Sequence, residues 1–254
     1  MEMKDKIFVV SGAGSGLGKA TTELLCEEGA KVIAIDIKVD QATLDKWSDN
    51  DILYRECDVR LPENVSDAIE SGVSHFDGLD GAVACAGIAP AIKIHSSRKG
   101  SHPYDDFANT LAINLGGTFN LFNNCVPYLK KNPATTSNKE RGCLIATSSI
   151  AAYEGQIGQA AYAASKGGVS SMILPLAREM ARSGIRVNAI APGIFQTPMV
   201  DAFPEKVQEA LANEVPFPQR LGQPNEFAQL VRHIITNQYI NGTVIRLDGS
   251  VRMR

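Results

Sequence analysis

The stretch "SSIAAYEGQIGQAAYAASK", residues 148–166, holds the side chains best suited to exchange a proton with a bound molecule. Lys166 follows Tyr162 by four residues, and Ser149 precedes both. Residues four apart share one face of a helix. Lys166 would therefore either lie where its charge favours the phenolate of Tyr162, or share an exposed helix face with Tyr162 without any chemical role. A tyrosine titrates at about pH 10 unless a neighbour lowers its pKa. Because Tyr153 has no such lysine, we predict proton transfer at Tyr162.

A glycine-rich turn separates the first predicted strand from the first predicted helix. Its sequence, "VVSGAGSGLGKATTELL", places Gly12, Gly16 and Gly18 in the pattern G-x-x-x-G-x-G. Glycine permits a tight turn and lets the backbone approach a pyrophosphate at the start of a helix, where free N–H groups attract anions. The same glycines alone would also fit a strand-to-helix turn that binds nothing.

Asp36 favours the dinucleotide interpretation of this turn. The carboxylate ends the second predicted strand, "KVIAID", twenty residues after Gly16. There an acidic side chain accepts hydrogen bonds from the ribose hydroxyls of an adenosine. A 2′-phosphate would meet a like charge with no arginine beside it in the sequence, although Lys38 is near. We therefore predict NAD rather than NADP as the cofactor.

Strand and helix patterns alternate along the chain, from "KIFVVS" at the beginning to "GTVIRLDG" near the end. Such alternation is typical of right-handed crossovers that build a parallel sheet with helices on both faces. We predict an α/β, doubly wound fold of about seven strands, with residues 1–254 in a single domain. Long helices are predicted at roughly 104–131 and 160–182, and loops at 88–103, 132–141 and 192–224.

Composition argues against several classes of function. A formal net charge of −3 disfavours a nucleic-acid partner. We find no signal peptide and no apolar stretch long enough to span a bilayer, so we expect no membrane association. The five cysteines are widely spaced and the four histidines lack metal-ligand spacing. We therefore expect a cytoplasmic protein with reduced thiols and no metal.

Several motifs together point to a known family. "GAGSGLG", "ACAG", "NLGG", Ser149, "YAASK" and "APG" occur in the order and spacing of the short-chain dehydrogenase/reductase family, which the chain resembles over most of its length. The resemblance implies a Rossmann sheet and an NAD-dependent oxidoreductase. The stretches "CAGIA", "AAYEGQIGQAAYAASKGG", "VPFPQRLGQP" and "NGTVIRLDG" resemble more specifically a branch that oxidises a 3-hydroxyacyl-CoA to the 3-oxoacyl-CoA. Ser11 and Ala84 depart from the family pattern, which usually has Thr and Asn there. Ser11 keeps the hydroxyl, whereas Ala84 removes an amide that would tie neighbouring strands, so we expect less local rigidity there.

The resemblance assigns roles to the candidate catalytic residues. Tyr162 would be the general acid/base, and Ser149 would hydrogen-bond the substrate oxygen. Lys166 would lower the pKa of the tyrosine and bind the nicotinamide ribose. Asn114 would hold a water for proton relay, although a mid-helix asparagine is more often a local polar contact. Gln159 is a further candidate for contact with the substrate, together with Ser149 and Tyr162.

The predicted cofactor-binding residues come from the glycine turn, the ends of the following strands and the region around "YAASK" and "APG". For Cys85 we expect the backbone to matter more than the sulfur, since a buried structural thiol is the alternative. The predicted set is Gly12, Ser15, Gly16, Leu17, Gly18, Asp36, Asp58, Val59, Cys85, Gly87, Tyr162, Lys166, Phe195 and Thr197.

Two segments are candidates for the substrate side. Lys93, Arg98 and Lys99 follow the fourth predicted strand and would either meet the phosphates of coenzyme A or form a solvated loop. Residues 194–217 have prolines at their ends, and their apolar side chains fit either a lid over an apolar substrate or a core-packed helix pair. The apolar residues in question are Met199, Val200, Phe203 and Leu211.

Fold and catalytic residues do not fix the substrate. A hydroxysteroid or other secondary alcohol would use the same four residues, so a dehydrogenase for such alcohols is the alternative. A protein that binds NAD without catalysing a reaction is an alternative from another class of function. It is disfavoured because such a protein does not need all four candidate catalytic residues. The resemblance also implies a homotetramer, with helices 104–131 and 160–182 packing against their mates.

Overall fold

A parallel sheet with helices on both faces forms the centre of the protein. The computed structural model describes residues 1–48, 51–98, 100–134 and 139–253. Within these ranges the strands are β1 (Ile7–Ser11), β2 (Lys31–Asp36), β3 (Ile52–Glu56), β4 (Gly81–Ala84), β5 (His95–Ser96), β6 (Gly100–Ser101), β7 (Gly142–Thr147), β8 (Ile185–Pro192) and β9 (Val244–Leu247). The helices are α1 (Gly16–Glu27), α2 (Gln41–Trp47), α3 (Pro62–Phe76), α4 (Tyr104–Leu111), α5 (Gly117–Leu129), α6 (Ala151–Glu154), α7 (Ala160–Met180), α8 (Pro198–Asp201), α9 (Glu205–Asn213) and α10 (Pro224–Thr236).

The order of the strands creates the crevice in which the site lies. Across the described residues the main sheet runs β3-β2-β1-β4-β7-β8-β9, and every neighbouring pair is parallel. The chain leaves β1 toward one edge through β2 and β3, then crosses to the other side of β1 with β4. Ligands of such sheets bind at the carboxyl ends of the strands where the direction of winding reverses. The predicted doubly wound sheet of about seven strands is confirmed.

The strands are apolar because both faces of the sheet are covered. All five residues of β1 are buried, and they alternate between two cores. Val9 belongs to a core that includes residues of α3, α5 and α7, whereas Phe8 and Val10 belong to a core with residues of α1 and α10. Among the described helices, none combines the length and apolarity that crossing a membrane would require.

The first of the two predicted long helices contains an irregularity that the sequence does not announce. Its 104–131 range is occupied by α4 and α5, joined by a π-helical segment at Ala112–Gly116 that contains Asn114. Short π segments insert an extra residue into a helical turn and occur frequently at functional sites. The second predicted helix, 160–182, corresponds to α7 and the 3₁₀ turn that follows it.

The prediction of loops at 88–103 and 192–224 is wrong for parts of both segments. The first contains the antiparallel hairpin of β5 and β6, and the second contains α8 and α9 and the first residue of α10. Prolines misled the prediction because Pro198 and Pro224 occupy the first turns of α8 and α10, where a missing N–H costs nothing. Lys99 and residues 135–138 of the third predicted loop lie outside the described residues.

A buried arginine connects the sheet to the last helix. Arg186 of β8 donates to the carbonyl oxygens of Ile234 at 2.7 Å and Ile235 at 2.8 Å, which are among the last carbonyls of α10. Its Nε donates to Glu140 at 2.8 Å, and both side chains are almost completely buried. Removing one partner of a buried ion pair leaves the other charge without compensation, which is strongly destabilising.

We predict that Arg186→Met lowers the free energy of unfolding by about 3–5 kcal/mol, because the α10 carbonyls lose their donor and Glu140 loses a buried guanidinium, while the Met1 ammonium at 3.3 Å and Gln238 at 2.9 Å still contact its carboxylate. Urea denaturation followed by circular dichroism measures this loss. Arg232→Met is the matched control, since Arg232 of α10 forms a half-exposed pair with Glu28. An exposed pair contributes at most about 1 kcal/mol. Equal losses in the two variants would contradict the assigned role of Arg186.

Candidate active site

A cavity of about 780 Å³ opens at the carboxyl ends of the strands. It extends from the glycine turn after β1 to α7 and to the segment that contains α8 and α9. Among the predicted catalytic residues, cofactor-binding residues and Gln159, all of which the structure describes, Asn114 does not line the cavity and the others do. Those that do are Gly12, Ser15, Gly16, Leu17, Gly18, Asp36, Asp58, Val59, Cys85, Gly87, Ser149, Gln159, Tyr162, Lys166, Phe195 and Thr197.

The glycine turn leaves its backbone uncovered toward this cavity. Gly12 has φ +68°, and a Cβ there would lie 2.6 Å from the backbone nitrogen of Ala86. A Cβ on Gly18 would lie 2.0 Å from the carbonyl oxygen of Gly12, so neither position accepts a side chain. Helix α1 begins at Gly16, and the first N–H groups of a helix have no acceptor within it. A bare turn with free N–H groups fits the pyrophosphate of a dinucleotide.

The ends of β1 and β4 are tied together despite the departures from the family pattern. The hydroxyl of Ser11 accepts a hydrogen bond from the N–H of Ala86 at 3.3 Å, and the N–H of Cys85 donates to the Ser11 carbonyl at 3.1 Å. Ser11 therefore keeps a side-chain link between the two strand ends although Ala84 offers none.

Cys85 forms part of the cavity wall. Thr147 donates to its sulfur at 3.5 Å, and burial raises the pKa of the Cys85 thiol to about 11. A thiol with such a pKa is protonated at neutral pH and is a poor nucleophile. The expectation that the backbone of Cys85 matters more than its sulfur stays a prediction.

Asp36 is held in place at the end of β2. Its carboxylate accepts hydrogen bonds from the N–H of Gly14 at 2.9 Å and of Lys38 at 3.3 Å. A carboxylate has about four lone-pair sites, so it can still accept from the hydroxyls of a ribose. Gly14 was not among the predicted site residues. Its N–H holds Asp36 in place only because the glycine turn contacts the end of β2, which lies 22 residues further along the chain.

Asp58 forms an ion pair at the rim of the cavity that the sequence analysis also missed. Arg60 contacts its carboxylate through Nη2 at 2.6 Å and through Nε at 3.0 Å, and it donates to Asn109 at 2.8 Å. Hydrogen bonds from Arg60 hold the pKa of Asp58 below its ordinary value. The guanidinium lines the cavity, but its charge is already matched by Asp58.

The catalytic candidates meet where β7 ends and α7 begins. Ser149 is buried just beyond β7, and its Oγ accepts a hydrogen bond from the N–H of Ala151 at 3.1 Å. That bond leaves the hydroxyl proton of Ser149 free to be donated, and the side chain lies beside the phenol of Tyr162. Tyr153 does not line the cavity and is half exposed, with the guanidinium of Arg246 5.6 Å from its ring centre.

Two opposing effects act on the proton of Tyr162. Burial raises the pKa of the Tyr162 phenol, and the hydrogen bond with Ser149 lowers it. Burial also lowers the pKa of Lys166 to about 8. The Lys166 ammonium donates to the carbonyl of Thr147 at 2.7 Å and lies 5.9 Å from the centre of the Tyr162 ring. The predicted lowering of the tyrosine pKa by Lys166 stays a prediction.

Asn114 acts behind the cavity wall. Its side-chain oxygen accepts from the N–H of Ile88 at 2.9 Å, and its amide donates to the Ile88 carbonyl and to the hydroxyl of Ser165, both at 2.9 Å. The residue is fully buried, so it fixes the segment after β4 to α7. The water relay predicted for Asn114 is a separate role that these contacts do not test.

The other side of the cavity is mainly apolar. Gln159 is a polar exception, and its side-chain oxygen accepts from the N–H of Gln156 at 2.9 Å. The side chain of Met199 lies outside the described part of the structure. Lys93 and Arg98 do not line the cavity. The apolar lining here includes Ile150, Ile157, Val200, Phe203, Val207, Leu211 and Met253.

Comparison with known proteins agrees with this geometry. A family model described as enoyl-(acyl carrier protein) reductase matches residues 12–251. The 3-hydroxyacyl-CoA dehydrogenase type-2 of Homo sapiens is 44% identical over 254 residues, which cover 99% of this chain and 97% of the relative. The protein of that name from Drosophila melanogaster is 42% identical over 253 residues, with 99% of each chain covered.

Structural similarity extends over the same length. The crystal structure of 3-hydroxyacyl-CoA dehydrogenase type-2 from Mycobacterium avium superposes with a TM-score of 0.92 at 35% sequence identity. It covers 100% of this chain and 99% of the other, so the shared fold extends over the whole length of both chains. The chain belongs to the short-chain dehydrogenase/reductase family.

Proposed function

We propose that this protein catalyses the reversible, NAD-dependent oxidation of a 3-hydroxyacyl-CoA to the 3-oxoacyl-CoA. The observation that carries the proposal is the position of Tyr162, whose phenol lies beside Ser149 in a cavity that continues to the glycine turn and Asp36. The names of relatives that are 44% and 42% identical over nearly the whole chain support the thioester as the substrate class.

In the proposed mechanism Tyr162 removes the proton of the substrate hydroxyl during oxidation and returns it during reduction. Ser149 donates its own proton to the substrate oxygen and stabilises the charge that develops there, since its Oγ is oriented by Ala151. When bound, the nicotinamide of NAD supplies the acceptor for the hydride. The apolar lining excludes water from the reacting atoms.

Lys166 supports this proton transfer through its position. The carbonyl of Thr147 fixes the ammonium one helical turn from Tyr162, where a positive charge favours the phenolate. We assign to Lys166 the nicotinamide ribose as well, and to Asn114 a water that connects the lysine to solvent. The two hydrogen bonds between the Asn114 side chain and the backbone of Ile88 support a fixed geometry for such a relay.

The charges near Asp36 support NAD as the cofactor. Asp36 carries a negative charge where a 2′-phosphate would lie, and the nearby cation that lines the cavity, Arg60, is engaged by Asp58 and Asn109. A phosphate there would have to displace Asp58 from Arg60. If the protein bound NADP, Lys38 is the neighbouring cation that would attract the 2′-phosphate.

We further propose a domain organisation, an assembly and a location. Residues 1–254 form one NAD-binding domain, and the segment 194–217 acts as a lid, supported by the cavity-lining Val200 and Phe203.

A homotetramer is supported by Phe119 of α5 and Leu174 of α7, which are 53% and 44% exposed. Sedimentation velocity tests this assembly. Five free thiols support a reducing, cytoplasmic location.

We expect Tyr162→Phe to lower kcat for 3-hydroxybutyryl-CoA by about 10²- to 10⁴-fold, because the proton acceptor is lost. The dissociation constant for NAD should stay within about twofold, since a phenyl ring keeps the packing of the cavity. Absorbance of NADH measures the rate, and calorimetry measures NAD binding. Tyr153→Phe is the matched control and should retain the wild-type rate. Unchanged oxidation by Tyr162→Phe would overturn the enzymatic mechanism.

A comparison of substrates tests the thioester itself. The wild-type protein should oxidise 3-hydroxybutyryl-CoA with a higher kcat/KM than a 17β-hydroxysteroid or simple secondary alcohols. Negligible turnover of the thioester beside rapid turnover of an alcohol would replace the proposed substrate with the alternative.

The pH dependence of oxidation should respond to Ser149. Oxidation requires the phenolate of Tyr162, so kcat/KM rises with pH until the pKa of the phenol is passed. Because the Ser149 hydrogen bond lowers the Tyr162 pKa, Ser149→Ala should move the rise to higher pH as well as lower the rate. Ser149→Thr keeps a hydroxyl and should retain the wild-type inflection. A profile that Ser149→Ala leaves in place would contradict the assignment.

Cofactor preference should depend on Asp36. Asp36→Asn keeps an acceptor for the N–H of Gly14 but removes the charge, so we expect the ratio of kcat/KM for NAD over NADP to fall by about 10- to 100-fold. Steady-state kinetics with both cofactors measure the ratio. Asp45→Asn, on the exposed face of α2, is the control and should leave it unchanged. A wild-type protein that prefers NADP would contradict the proposal directly.

A further inference from the structure

The segment that follows β9, residues 248–253, turns back to the catalytic cavity. Val251 is fully buried and forms a small apolar cluster with Ile150 and Val215. Met253 packs against this cluster and lines the cavity. Ile150 directly follows Ser149 in the sequence, and Val215 follows α9 of the proposed lid. Met253 therefore lies on the substrate side, between the catalytic segment and the lid.

Four charged residues, which we call the arginine clasp, hold this segment in place. Arg246 of β9 contacts both carboxylate oxygens of Glu154 at 3.0 Å and Asp248 at 2.7 Å. Arg252 contacts Glu154 at 3.3 Å and Asp248 at 3.2 Å. Both arginines also donate to the carbonyl of Val251, at 3.2 Å and 2.8 Å respectively. Networks with paired, two-pronged arginine contacts are more rigid than isolated surface ion pairs.

The clasp connects the position of Met253 to the catalytic segment. Glu154 ends α6, and the first residue of α6, Ala151, donates its N–H to Ser149. The ring of Tyr153 in the same helix lies under the guanidinium of Arg246. The wall that Met253 forms is therefore fixed relative to the hydroxyl that orients the substrate oxygen.

We propose that Met253 is a specificity-determining residue that limits the length of the acyl chain, held in position by the arginine clasp. The substrate class in this statement rests on the proposed function. Met253 forms part of the apolar lining of the cavity, so the size of its side chain sets how much room is left there for an apolar chain. One methylene in an apolar pocket changes kcat/KM by about 10- to 200-fold. A change of size at position 253 should therefore alter selectivity more than it alters the chemistry.

The test compares kcat/KM for 3-hydroxydecanoyl-CoA with that for 3-hydroxybutyryl-CoA. Met253→Ala should raise this ratio at least about tenfold, and Met253→Trp should lower it by about as much. Met172→Ala is the matched control, because Met172 packs against the main core and does not line the cavity. The proposal is overturned if both Met253 variants keep the wild-type ratio, or if Met172→Ala shifts it equally.

A double-mutant cycle tests the clasp. Arg246→Gln should change the same ratio, and Met253→Ala should have a smaller effect in that background, because the wall is no longer held. Full additivity would remove the clasp from the proposal.

A second series of substrates makes it possible to test the role of Met253 independently of the proposed thioester substrate. If the wild-type protein fails to oxidise the thioesters, the proposed function is wrong. Secondary alcohols from 2-butanol to 2-decanol then report on Met253 by the same ratio, and a ratio that the Met253 variants leave unchanged overturns the inference independently.

Discussion

The site depends on one close contact between two strand ends. Strands β1 and β4 are neighbours in the sheet although two strands separate them in the sequence, and the turn after β1 meets the segment after β4 at this point. Gly12 lies so near the backbone of Ala86 that a Cβ would be 2.6 Å from its nitrogen. Because of this contact, the helix N-terminus that follows Gly12 and the cavity wall that follows Ala86 face the same space. Asp36 and Ser149 come to that space from the neighbouring strand ends.

The pKa of Tyr162, the proposed catalytic group, depends on two opposing effects, burial and hydrogen bonding. Placing the phenol of Tyr162 in the cavity disfavours its ionised form, which raises its pKa. A hydrogen bond with Ser149 lowers the pKa of the phenol again. Ser149 can donate its hydroxyl proton because the N–H of Ala151 uses its oxygen only as an acceptor. Lys166 is buried and held by the Thr147 carbonyl, so its positive charge sits at a defined place, 5.9 Å from the centre of the Tyr162 ring.

Local patterns in the sequence were sufficient for much of this arrangement and insufficient for the rest. The alternation of strands and helices predicted the sheet, and motif spacing found residues that line one cavity, because these signals depend on near neighbours in the chain. Strand β3 gives a weaker pattern than the other strands near it, because Ile52–Arg55 are only partly buried and Glu56 is exposed. The π segment at Asn114 is invisible to helical periodicity. Arg60 contacts the nearby Asp58 and the distant Asn109, and Met253 packs against a cluster that contains the distant Ile150 and Val215.

One measurement tests most directly the claim that burial and Ser149 control the phenol of Tyr162. An ultraviolet difference titration of the wild-type protein against Tyr162→Phe isolates the ionisation of this single tyrosine. We predict a pKa above the ordinary value of about 10, and a still higher pKa when the same difference is measured in a Ser149→Ala background. Titration at the ordinary value in both backgrounds would contradict the account.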